Sequence, residues 1–315
     1  MEQETKMVFI AFASMTNYSN WKRQIALAAN VSVLYDVADF QHHSRYEEPQ
    51  LIKEQMFNRS TKEKKEKMRE GILNTIFNED CLITMSRIES GTVDLILQDP
   101  PYGTTGNEWD IIPDFEVMWK EWERILKPDG MVVMTASQPF TSKLILSNEK
   151  LFKYCWVWNK KLAGNGILAK RQPLKIHEDV VVFGKGACRY YPIKRKGVYR
   201  AKGGITDKHG TFNGAGSEVT FNDEYYPESI IDFSGAGMRS DRIHPTEKPI
   251  DLMRYMIQTY TQEGEIVFDG YMGSGTTAHA CITEKRNYIG SEMNERFYKL
   301  LNERLEREYS QPKLF

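Results

Sequence analysis

Neither charge sign is in excess in this chain: 42 lysines and arginines face 43 aspartates and glutamates over 315 residues. That balance excludes a globally basic or acidic surface, so any face for a polyanion must be local. Cysteine is scarce. The four cysteines, Cys81, Cys155, Cys188 and Cys281, form no Cys-x-x-Cys pair and share no ligand spacing with the six histidines, which argues against a zinc site or a disulfide framework. Long apolar runs are missing too. Met7 to Ala13 is too short to span a bilayer and follows Glu2 and Glu4 rather than a basic segment, so a cytoplasmic, reducing setting is expected. What is present is enough apolar material, 41% of residues, for one large core with a smaller appendage.

Residues 1–70 differ from the rest. Arg59 to Glu70 mixes both charge signs at helical spacing and reads as a solvated helix or linker, or else as a DNA-binding arm. From residue 71 the pattern alternates. Val93 to Leu97 is a short apolar run, Phe115 to Lys127 has amphipathic spacing closed by Pro128-Asp129-Gly130, and Met131 to Met134 is apolar again: strand, helix, strand. Cys155 to Trp158 and Asp179 to Phe183 fit further strands. After an irregular, glycine-rich stretch over residues 185–242, a second block starts with Pro249 as first helical residue. It continues through strand Ile266 to Phe268, a helix, strand Tyr288 to Gly290 and a C-terminal helix from Asn294. The expected fold is α/β, a doubly wound and mostly parallel sheet, in two halves (71–184 and 243–315) flanking the insert.

Two segments carry chemistry. The run Ile266 to Phe268 leads into Asp269-Gly270-Tyr271-Met272-Gly273-Ser274-Gly275-Thr276, a strand, glycine turn and helix. Gly273 and Gly275 let a nucleotide-like ligand lie against the backbone, and Glu292, at the end of the next strand, can accept hydrogen bonds from ribose hydroxyls. No Gly-Lys-Ser or Gly-Lys-Thr follows the turn, so adenosine without a triphosphate fits better.

The second is Asp99-Pro100-Pro101-Tyr102. Two prolines end a sheet ladder, which sets the tetrapeptide at the carboxyl edge of its strand, where open parallel sheets bind ligands. An aromatic amine such as adenine N6 is a poor nucleophile because its lone pair is delocalised. Two acceptors, the Asp99 carboxylate and the Pro100 carbonyl, would bind its two hydrogens and favour a pyramidal nitrogen, while Tyr102 stacks on the base. The alternative is a plain surface turn.

The insert is locally basic. Lys185, Arg189, Lys194, Arg195, Lys196, Arg200, Lys202 and Lys208 stand against the single acid Asp207, with Tyr190, Tyr191 and Tyr199 between them. Such residues suit DNA phosphates and guanine edges, the alternative being a solvated β-ribbon. Gly203, Gly204, Gly210, Gly214 and Gly216 predict flexibility until DNA orders the segment.

Taken together, the tetrapeptide, the Phe268 to Gly275 loop and His244-Pro245-Thr246-Glu247-Lys248-Pro249 resemble the motifs of S-adenosylmethionine-dependent DNA amino-methyltransferases, over roughly residues 72–308. The order, catalytic motif before cofactor loop, resembles the family's permuted β group. The resemblance implies transfer of a methyl group to a flipped-out adenine N6 in double-stranded DNA, with Asp99, Pro100, Pro101 and Tyr102 catalytic. It also implies S-adenosylmethionine on Asp80, Thr246, Lys248, Asp269, Tyr271, Gly273, Ser274, Gly275, Thr276 and Glu292, with Asp80 on the cofactor adenine and Thr246 and Lys248 at its methionine end. Trp158-Asn159-Lys160 with His177-Glu178 resembles the stretch near the target base, and the basic insert resembles the target-recognition region. No metal is implied; a homodimer and a companion restriction endonuclease come from the family alone. Gly270 and Tyr271 depart from the proline and phenylalanine common in the family. Cytosine-N4 methylation is the nearest alternative, although serine more often replaces Asp99 there. A non-catalytic DNA-binding module is another. Cytosine-C5 chemistry is disfavoured because none of the four cysteines follows a proline.

Overall fold

The computed structural model describes residues 71–107, 110–164, 166–202, 220–234 and 247–310. The N-terminal segment to residue 70, the glycines from Gly203 to Gly216, Lys208 and Thr246 lie outside the described residues. Among the described residues, ten strands and six α-helices follow in the order β1 (Thr75–Phe77), α1 (Cys81–Arg87), β2 (Val93–Gln98), α2 (Phe115–Ile125), β3 (Leu126–Ala136), α3 (Phe140–Ser147), β4 (Phe152–Gly164), β5 (Lys175–Gly184), β6 (Arg195–Lys202), β7 (Thr220–Tyr225), β8 (Ile230–Asp232), α4 (Ile250–Tyr260), β9 (Ile266–Asp269), α5 (Thr276–Thr283), β10 (Asn287–Ser291) and α6 (Glu295–Ser310).

Eight strands form one sheet in the order β1-β10-β9-β2-β3-β5-β4-β8, with β5 antiparallel to both its neighbours and every other pair parallel. The expected doubly wound sheet is thus present. Its two faces can be read from alternate residues of β2. Leu95 and Leu97 pack with Leu252, Met256 and Tyr260 of α4, Cys281 of α5 and Leu301 of α6, whereas Ile96 packs with Met85 of α1, Trp122 of α2 and Phe140 of α3. Every residue of β2 is buried, as befits a central parallel strand.

Most boundaries follow local chemistry. Asp114 caps α2, its carboxylate accepting from the Glu116 and Val117 amides. That helix ends at Ile125, two residues short of the expected Lys127, because Leu126 already pairs with Val93 and Lys127 precedes a proline. Pro249 is the cap of α4 rather than its first helical residue, with an extended ψ of 134°. The insert is less separate than expected. Its strand β8 joins the main sheet beside β4, and the Tyr191 amide donates to the Thr259 carbonyl of α4. Among the described residues, only β6 and β7 form an independent ribbon.

Candidate active site

The carboxyl ends of β2, β3, β9 and β10 open into one cavity of about 1310 Å³. On the β9 and β10 side it is lined by Asp269, Gly273, Glu292 and Phe297, and on the β2 and β3 side by Asp99, Tyr102, Ser137 and Lys248. Asp80, which caps α1 by accepting from the Leu82 amide at 2.8 Å, also lines it.

Asp99 follows the last residue of β2 directly. Its Oδ1 accepts from the Tyr102 hydroxyl at 2.7 Å and from Thr135 Oγ1 at 2.5 Å, and its Oδ2 from Lys248 Nζ at 2.8 Å. Tyr102 stacks on Phe140, centroids 5.1 Å apart, and Lys248 Nζ lies over the Tyr102 ring, 5.4 Å from its centroid. Burial, followed by the nearby Asp99 and Glu178 charges, raises the Tyr102 hydroxyl well above its ordinary value, so it stays a neutral donor. The loop after the tetrapeptide is pinned by Asp110, whose carboxylate accepts from the Gly103, Thr104 and Thr105 amides.

Lys248 is a second centre of the site. It is buried and also pairs with Glu178 Oε2 at 3.6 Å, while Lys160 bonds Glu178 Oε1. Two carboxylates and two ammonium groups thus form a balanced quartet. Burial alone would raise the Glu178 carboxyl and lower Lys248; the opposite charges reverse both, so Glu178 is lowered and Lys248 raised. Lys248, expected at the cofactor's methionine end, has its ammonium on Asp99 and lines the same cavity as the Gly273 turn.

On the other side, the glycine turn has the backbone its sequence demands. Gly273 and Gly275 have φ of 51° and 75°, and Gly275 precedes α5 in left-handed conformation. The Gly273 amide donates to Glu292 Oε2 and the Asn294 amide to Oε1, both at 2.8 Å, so the carboxylate is fixed in the cavity with lone pairs to spare. Burial raises it. Asp269, fully enclosed, is pushed up to about 7 by burial, against the opposing hydrogen bonds from Thr277 and the Tyr271 amide. Ser274 and Thr276 share a 2.8 Å hydroxyl contact and line the cavity, as does Tyr271. The departure at Gly270 has a local reason: its amide donates to Gln98 Oε1, and a Cβ there would lie 2.9 Å from Cys81 Cβ.

The basic insert fares differently. Arg189 is turned inward, its guanidinium bridging Asp94 at 2.9 Å, Glu265 at 2.8 Å and Asp129 at 2.5 Å. These acids lie at the amino ends of β2, β3 and β9, the edge opposite the cavity, so Arg189 is a structural staple and not a phosphate contact. Lys185 donates to the Glu123 carbonyl. Partner acids arrive from beyond the window that made the patch look basic. Lys194 pairs with Glu224, Arg195 with Glu228 and Lys196 with Asp223, while Arg200 donates to the Tyr225 hydroxyl. Lys202 pairs through its backbone with Thr220. None of these residues lines the cavity among the described residues.

Sequence reasoning missed Thr135 and Phe140. Thr135 lies at the end of an apolar strand and Phe140 at the start of a helix, and nothing in their spacing marks Thr135 as a partner of Asp99 or Phe140 as a partner of Tyr102. Among the described residues no cluster of His, Cys, Asp or Glu could hold a metal, and no helix is long and apolar enough to cross a membrane.

Comparison with known proteins places this arrangement. Residues 93–303 match the family model for N6 and N4 amino-methyltransferases, described as DNA methylase. The chain is 30% identical over 249 residues to the DNA adenine methyltransferase YhdJ of Escherichia coli K12, covering 74% of this chain and 82% of that protein. Among solved structures it is similar to the M1.HpyAVI-SAM complex, at TM-score 0.51, 22% identity, 73% of this chain and 98% of that one. It is also similar to the cytosine-N4-specific PvuII DNA methyltransferase, at TM-score 0.54, 16% identity, 76% of this chain and 87% of that one. At these identities the structural likeness is one of fold. With the family model spanning well over half of its length, the chain belongs to the N6/N4 family of DNA methylases.

Proposed function

We propose that this DNA methylase transfers a methyl group from S-adenosylmethionine to adenine N6 in double-stranded DNA. The observation that carries the reading is the Asp99 carboxylate, held at the end of β2 inside a cavity continuous with the Gly273 turn and Glu292.

The donor set fits the cofactor. Glu292 and Asp80 offer carboxylate acceptors for ribose hydroxyls and an adenine amine, Phe297 and Met293 offer apolar surface, and the turn at Gly273 to Thr276 admits a close ligand. The cavity exceeds the roughly 300–1,000 Å³ usual for one ligand, which suits a cofactor and a base together. When bound, S-adenosylmethionine supplies an electrophilic methyl group on a sulfonium. Asp269, Tyr271, Ser274 and Thr276 border the bound cofactor with them, and Thr246 is carried over from the family motif alone.

Asp99 and the Pro100 carbonyl accept the two hydrogens of the target amine, which localises its lone pair. Tyr102, backed by Phe140, supplies the stacking face, and Asp99 receives the proton that the alkylated nitrogen sheds. The base reaches this corner by leaving the duplex. The YhdJ likeness and the aspartate at position 99 support adenine over cytosine.

The test is expression in a methylation-free host followed by sequencing that distinguishes the two modified bases. N6-methyladenine at a defined motif is expected. N4-methylcytosine alone would overturn the choice of base, and unmodified DNA would overturn the activity.

A further inference from the structure

The ion pairs of the β6–β7 ribbon leave the question of what grips the duplex beside the cavity. The β4–β5 hairpin answers it. Because β5 is antiparallel to β3, and β4 to β5, the tip of this hairpin projects from the same sheet edge that opens into the cavity. Lys160, Leu168 and Lys175 of the hairpin line the cavity itself.

Two properties of the tip are at odds with a plain solvated turn. From Lys160 to His177 the sequence holds Lys160, Lys161, Lys170, Arg171 and Lys175 and no acid; Lys160 pairs with Glu178, Lys161 with Asp232, and Lys175 donates to Ser137, which leaves Lys170 and Arg171. Lys170 and Arg171 are exposed, and neither makes an ion pair among the described residues. The same tip exposes apolar side chains. Ile167, in a single turn of 3-10 helix at Gly166–Leu168, is 98% exposed, and Leu162 is 68% exposed. Among the described residues nothing covers Ile167, and a large aliphatic side chain in water, three and four positions from Lys170 and Arg171, suits a polyanion with an apolar interior.

We propose that this hairpin tip is the DNA-engaging element, with Lys170 and Arg171 on phosphates flanking the target and Ile167 entering the base stack as a wedge. The inference rests on the DNA-methylation reading and adds the surface that opens the duplex. Cations set affinity through released counterions, whereas a wedge acts on extrusion of the base.

Full-length protein is assayed for binding to unmethylated genomic fragments across a salt titration, and for labelled methyl transfer to the same DNA. Lys170→Ala/Arg171→Ala is expected to lower the slope of log affinity against log salt by roughly two. Ile167→Ala is expected to keep duplex affinity within about twofold while kcat falls about tenfold, and Ile167→Leu to restore it. Unchanged slope and unchanged kcat, with the wild type active, would overturn the inference and leave the activity standing. Wild-type protein that binds cofactor but modifies no DNA would instead overturn the underlying reading. A change in mass by light scattering in Ile167→Ala, with DNA binding and turnover intact, would assign the tip to a second copy of the chain and also overturn it.

Discussion

Lys248 Nζ lies 2.8 Å from Asp99 Oδ2, although 149 positions separate the two residues. Asp99 arrives at the end of β2, and Lys248 stands just before α4, so the contact forms only when the two halves of the sheet are assembled. It ties the Asp99 corner to the segment that leads into α4, β9 and the Gly273 turn.

Replacing Lys248 by methionine tests that contact. Glu178 is then left buried with Lys160 as its remaining cation in the quartet, so its carboxyl rises and protonates at higher pH. The expected result is a fall in kcat/KM of roughly 100-fold and an upward shift of the acid limb of the pH–rate profile. Lower thermal stability with an unmoved limb would mark Lys248 as structural only.

Asp99→Asn keeps the shape of the corner but replaces one carboxylate oxygen by a donor. Labelled methyl transfer should drop at least about 100-fold, while S-adenosylmethionine affinity by calorimetry stays within a few-fold. Full turnover in this variant would remove Asp99 from the chemistry.

Asp269 gives the fold a pH dependence. Its carboxyl titrates near 4 in an unfolded chain and is pushed up to about 7 by burial in the folded one, so between those values the folded state binds more protons. The stabilisation is complete below about pH 4 and is lost as pH rises through about 7. Urea unfolding at a series of pH values should therefore show Asp269→Asn losing less stability than wild type over this window, by on the order of 4 kcal/mol. Parallel curves would contradict the assignment.

Arg189→Ala should cost stability and spare DNA binding. The substitution leaves Asp94, whose side chain is 1% exposed, with Lys127 and the Ile266 amide as its partners. A loss of about 3 kcal/mol in urea unfolding is expected, with an unchanged salt slope for DNA. A weakened slope with unchanged stability would return Arg189 to the DNA surface.

Where chemistry is local, the sequence can be read. The apolar run from Val93 to Leu97, buried throughout, the capping aspartates and the glycines of positive φ all follow from neighbours within a few positions. The strand, glycine turn and helix from Ile266 onward were legible for that reason, and so was the corner made by Pro100 and Pro101. Charge was not. Counting Lys185 to Lys208 found one acid, but the neutralising groups, Asp223, Glu224 and Glu228, come from beyond that window, and Arg189 meets Asp94 across 95 positions.

By itself, then, the sequence determined that this protein carries an Asp99-Pro100-Pro101-Tyr102 corner at a strand end and a strand, glycine turn and helix from Ile266 onward on an α/β sheet, because backbone sterics and side-chain chemistry act at short range. Tertiary structure alone decided that Asp99 meets Thr135 and Lys248, that Phe140 backs Tyr102 and Glu178 pairs with Lys248, and which cations among the described residues are taken up in ion pairs. Ion pairing depends on separation in space, and strand order brings distant residues within hydrogen-bonding reach.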